Sequence, residues 1–150
     1  EFDPDKTFSL LDWGRGVWPR SHEWYWSSVS TLLGKTRFGF NLGCGFGDEA
    51  RSRATENIVY YGDSFVKLGR VRFLTEADPM QPWKIESDDG RFSAMLTPRY
   101  DRDTVTKLLV VDNRCHQMFG TFTGSFLSEN GGRVSFENVP GFAEHAVNHW

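Results

Sequence analysis

Large apolar and β-branched side chains recur at every second position along most of this chain, in runs cut by Gly, Asp and Pro. A period of two is that of an extended strand with one buried face, so the pattern predicts an all-β fold of short antiparallel strands. About nine such runs can be traced. Trp24 and Trp26 share one face of the run 22–32, and Phe38, Phe40 and Leu42 share one face of 36–43. Phe92, Ala94 and Leu96 do so in 91–97, and His116, Met118, Gly120, Phe122, Gly124 and Phe126 in 115–127. In that last, long run the two glycines relieve crowding where a strand bends or crosses another closely. Gly62-Asp63 and Asp88-Asp89-Gly90 read as tight hairpin turns, so neighbouring strands are expected to pair in order. Two connections look longer, 43–56 and 98–105. After Pro140-Gly141, the helical spacing of Phe142, Ala146 and Trp150 leaves a short C-terminal helix and a last strand equally open. The expected architecture is a single antiparallel barrel or strongly twisted sandwich.

Length and charge narrow the possible partners. With 150 residues the chain suffices for one domain with one core. A net charge of -3 without a basic run lacks the phosphate attraction that nucleic-acid binding needs, so no nucleic acid is expected. No apolar stretch approaches membrane-helix length and no signal pattern opens the chain, which predicts a soluble, cytoplasmic protein without a membrane partner. The start at Glu1 instead of Met suggests a processed protein or a fragment. Cys44 and Cys115 show no metal or redox spacing; free thiols are the simplest reading, with a disulfide or a reactive thiol as alternatives.

Four of the six tryptophans fall in the first 26 residues, among arginines and carboxylates. An indole is a large apolar surface with one N–H to satisfy, so it fills a core or walls a ligand cavity. Alternation assigns Trp24 and Trp26 to the barrel interior, whereas Trp18, flanked by Arg20 and His22, is the indole expected to touch a ligand. Gly43, Gly45 and Gly47 do not make a dinucleotide or P-loop motif, and no Lys-Ser/Thr pair follows. His145 and His149 would share a helical face beside Glu144, but no third ligand has a zinc spacing, so no metal is expected.

Acid–base chemistry has better material. Asp12, Glu23, Asp48, Glu56 and Glu144 sit beside aromatics or glycines, where desolvation can raise a carboxyl pKa. The competing reading is an arginine–carboxylate lattice, since twelve arginines face five lysines. His22-Glu23 and Cys115-His116 do not by spacing distinguish a cysteine nucleophile from chance.

The strings Leu11-Asp12-Trp13-Gly14-Arg15-Gly16-Val17-Trp18-Pro19, Phe38-Gly39-Phe40-Asn41-Leu42-Gly43 with Gly45-Phe46-Gly47-Asp48, Ala54-Thr55-Glu56-Asn57 and Asp88-Asp89-Gly90-Arg91-Phe92 carry a resemblance, as do His116-Gln117 with Phe119-Gly120, and Gly141-Phe142-Ala143-Glu144 ending in Asn148 and Trp150. Together they resemble the C-terminal half of the domain-of-unknown-function family numbered 2804. The resemblance implies a missing N-terminal half. More distantly the family is similar to lipocalin-like proteins that include hydroxyneurosporene synthase and fungal tandem-barrel cyclases, which implies two calycin-type barrels, this one the second, with a ligand between or within them. It transmits no reaction and no catalytic residue. Glu49-Ala50-Arg51-Ser52-Arg53 departs from the small, polar loop expected there.

The resulting expectation is a lipocalin-like barrel domain that binds a small organic ligand, apolar or glycosidic, in an aromatic cavity. Arg15, Trp18, His22 and Asn57 are the candidate ligand-binding residues, and Glu23, Asp48, Glu56, His116 and Glu144 the candidate acids and bases. No cofactor is called for. Two rivals stand beside it: part of a cofactor-free hydratase, lyase, isomerase or glycosidase, and a structural partner of the missing N-terminal barrel. Both site readings require at least three of these polar groups in one pocket.

Overall fold

The computed structural model describes residue 3, residues 7–45 and residues 55–150. Every regular element among them is a strand: β1 (Ser21–Leu33), β2 (Thr36–Cys44), β3 (Ile58–Tyr61), β4 (Ser64–Lys67), β5 (Val71–Leu74), β6 (Trp83–Ser87), β7 (Phe92–Leu108), β8 (Val111–Leu127) and β9 (Arg133–His149). All pair antiparallel in one nine-stranded sheet of order β4-β3-β2-β1-β9-β8-β7-β6-β5. Two meanders, β1–β4 and β5–β9, are thus joined by the first and last strands, which pair from Ser21↔His149 to Ser28↔Phe142. The sheet curls strongly into a half-barrel with β4 and β5 as its edges.

The curl is held by phenylalanines spaced two apart. Phe38 and Phe40 on β2 meet rings from the other arm: Phe38 lies 4.9 Å from Phe136 and 5.6 Å from Phe126, and Phe40 lies 5.2 Å from both Phe92 and Phe122. All six rings are buried, and each such burial contributes about 1.5–3 kcal/mol. The expected role of the two β8 glycines follows directly. A β-carbon on Gly124 would collide with the Ser93 carbonyl and lie 2.7 Å from the Ala94 Cα, while one on Gly120 would strike the Thr97 carbonyl.

One expectation is corrected and one open choice is decided. Residues 98–105 are no connection: β7 runs through them, paired with β8. The register shifts between Pro98 and Tyr100, so a bulge absorbs the proline where it cannot donate to the ladder. The C-terminal stretch is strand, not helix. Positions four apart share a face in an extended chain as well as in a helix, which is why Phe142, Ala146 and Trp150 mimicked a helical pattern.

Candidate functional site

Strand β1 has two unlike faces. Ser27 pairs with Leu42 and Ala143, both fully buried, so the face carrying Tyr25, Ser27 and Val29 is turned to the core. His22, Trp24 and Trp26 therefore stand on the outer face, which corrects the assignment of Trp24 and Trp26 to the interior. An indole N–H drawn out of water needs an acceptor, as the core Trp83 has in the Pro79 carbonyl at 2.8 Å. On the outer face each finds an acceptor. Trp24 Nε1 donates to Glu144 Oε1 at 3.0 Å, and Trp26 Nε1 donates to Asn41 Oδ1 at 2.8 Å. Gln117 Nε2 donates to the other Glu144 oxygen at 3.1 Å, and Trp26 stands edge-on to Phe142 at 4.9 Å.

The segment 10–18 passes over this face and leaves a cavity of about 570 Å³, within the range of small-molecule sites. Five indoles, Trp13, Trp18, Trp24, Trp26 and Trp150, line it, together with three carboxylates, Asp12, Glu56 and Glu144. His22 lies between Trp18, stacked at 5.7 Å and 15°, and Trp24, tilted at 5.2 Å. Its Nε2 is 2.7 Å from the Gly45 carbonyl oxygen, to which it donates. Asn41 and Asn148 complete the polar wall. Cys115, paired with Ala146 on this same face, is half-buried. Burial first, and the nearby Glu144 carboxylate second, push its thiol up to about 11.

Of the candidate residues, Trp18, His22, Glu56 and Glu144 meet in this cavity, and the last three are the polar convergence that both site readings required. The others lie elsewhere. Arg15 is not on the wall, and Asp48, with the loop Glu49–Arg53, lies outside the described residues. Asn57 is fully buried behind it: its Oδ1 accepts from Gly43 N at 2.7 Å and its Nδ2 donates to Gly69 O at 3.0 Å. Glu23 and His116 belong to the opposite, concave face. Glu23 Oε1 is 2.7 Å from His145 Nε2, whose ring lies flat on Tyr25 at 4.2 Å and 2°. His116 Nδ1 is 2.8 Å from Asp101 Oδ2. Burial, reinforced by the Glu23 charge, raises the Tyr25 hydroxyl above the ordinary tyrosine range.

The strand also disposes of the helical histidine pair. On β9, His145 and His149 are separated by four rises, roughly 13 Å, too far to share an ion. Cys44 and Cys115 stand on opposite faces of the sheet and do not pair with each other. Among the described residues, arginine–carboxylate bridges join Arg72 to Glu86 and Arg114 to Asp112, the latter on the opposite face of the sheet, and none involves Asp12, Glu56 or Glu144. Sequence reasoning did not single out Asn41, Asn148 or Trp150. A usable signal existed for Asn41, which alternates with Phe40 and Leu42 and so had to face away from them.

Among the described residues no helix is long and apolar enough to cross a membrane. No curated protein and no solved structure matches the chain. The family model described as Domain of unknown function (DUF2804) matches residues 1–150, and the chain belongs to that family.

Proposed function

We propose that the outer-face cavity binds a small organic ligand, with the indoles as its apolar wall and His22, Glu56 and Glu144 as its polar contacts. The observation that carries this is the convergence of five indoles and these polar side chains around about 570 Å³. Indole faces offer large, flat, rigid contact area, and a few placed polar groups fix orientation. Trp18 is 47% exposed, so its ring is available to an incoming molecule. The site differs from a lipocalin calyx, because it lies outside the curl and uses the segment 10–18 as its cover.

A thermal-shift screen of small organic molecules tests the reading. A ligand at 100 times its Kd adds about 2.7 kcal/mol of stability. Molecules that raise the Tm of the protein are expected to lose at least tenfold in affinity on Trp18→Ala, a substitution at a half-exposed position. Stabilising molecules that act equally on both proteins would place their site elsewhere and refute the proposal.

A further inference from the structure

We infer that the ligand of this cavity is an organic cation, a quaternary ammonium or a protonated amine with apolar substituents. The inference rests on the outer-face cavity being a binding site and names the chemistry that site selects.

Charge is the first argument. Among the described residues three carboxylates line the cavity and no lysine or arginine does. The one basic side chain, His22, places its Nε2 against the Gly45 carbonyl. The indoles are the second. A cation within about 6 Å of an indole centroid is drawn to the negative face of the ring, most strongly for Trp, and desolvation strengthens that attraction.

The state of Glu144 is the third and most specific argument. Its carboxylate is partly buried, and its hydrogen bonds come from the Trp24 indole and the Gln117 amide, both neutral donors. Among the described residues no lysine, arginine or histidine forms an ion pair with it. A carboxylate drawn out of water without an opposite charge is costly, so a cation seated among the indoles would supply the missing partner. The two donors also fix it, since Trp24 and Gln117 each hold one oxygen and leave the remaining lone pairs to a ligand. A sugar would stack on the same rings and donate hydroxyls to the carboxylates, but it brings no charge to balance theirs.

The test compares choline and benzyltrimethylammonium with 3,3-dimethylbutan-1-ol, the neutral counterpart of choline, and with methyl β-glucopyranoside. Binding is read from the indole N–H resonances of the 15N-labelled protein. The expected result is that the cations shift these resonances with affinity at least tenfold above the neutral alcohol, and that Glu144→Gln abolishes the difference. Equal affinity of choline and the alcohol in the unaltered protein would overturn the inference without any variant. Binding of the glucoside alone, or of the alcohol alone, would overturn it too, yet leave the cavity as a binding site. If no probe moves an indole resonance and the screen on Trp18→Ala also finds nothing, the cavity reading falls with it.

Discussion

Replacing Asn57 by Ala is expected to cost about 2–5 kcal/mol, because its side chain holds the curl of the sheet together at one point. The ladder between β2 and β3 ends at Asn41↔Ile58, and the Asn57 Oδ1 extends it by accepting from Gly43 N. Its Nδ2 reaches Gly69 in the short crossover between β4 and β5, where the chain passes from one edge of the sheet to the other. Gly69 N in turn donates to Asp89 Oδ2 in the turn before β7. Alanine leaves the Gly43 N–H and the Gly69 carbonyl without partners at a site where the residue is fully buried. Each orphaned group costs roughly 1–3 kcal/mol, a large share of a total stability of roughly 5–15 kcal/mol. Urea unfolding with an unchanged m-value is the appropriate assay, and the Tm should fall by about 5–15 °C for a domain of this size. Asn57→Asp sharpens the argument. Its carboxylate keeps the acceptor for Gly43 but faces the Gly69 carbonyl, so burial should raise its pKa in the folded state. A raised folded pKa means that the stability is present at low pH and lost as pH rises through that pKa; the Asp variant should therefore recover stability on acidification relative to the original protein. A loss below about 1 kcal/mol in the Ala variant would mean that water replaces both bonds, and would refute the role assigned to the side chain.

Gly124→Ala should destabilise by at least about 1–3 kcal/mol, since the added carbon meets backbone atoms of Ser93 and Ala94 and not a movable side-chain tip; an unchanged Tm would show that β7 and β8 can separate there. In a Cys44→Ser background, alkylation of Cys115 should be slow at pH 8 and accelerate only toward about 11, with Glu144→Gln shifting the profile downward. The same raised thiol pKa predicts that stability is held below the unfolded thiol pKa and declines as pH rises through about 11. Ultraviolet pH titration should find one of the four tyrosines ionising late, and Glu23→Gln should bring that step part of the way down, because burial supplies the larger share.

How far the fold can be read from the chain depends on which physical force sets each feature. The period of two, the hairpin turns and the crowding at Gly120 and Gly124 are local or nearly so, and the structure has them where the sequence implies. The extent of β7 is not local. Its second half, from Arg99 to Leu108, carries charged and polar residues that read as a loop, and it is strand because β8 pairs with it residue by residue. The outcome at the C-terminus is set the same way: β9 is extended because β1 and β8 flank it. Propensity over a nine-residue window does not carry that information.

The site was harder still, because it depends on which face of β1 meets the core. An aromatic pair at Trp24 and Trp26 looks like core material beside Tyr25, Ser27 and Val29, and hydrophobicity alone favours the indoles. The deciding terms are elsewhere. The six phenylalanines that meet across the curl are apolar throughout and carry no polar atom to satisfy. The indole that does lie in the core, Trp83, donates to the Pro79 carbonyl at 2.8 Å, whereas Asn41 and Glu144 serve as acceptors for Trp26 and Trp24 on the outer face. The Trp24 N–H thus also fixes the carboxylate beside it. A partly buried Glu144 is in this sense a consequence of where Trp24 can satisfy its N–H, and the indole-walled, carboxylate-lined cavity follows from the two together.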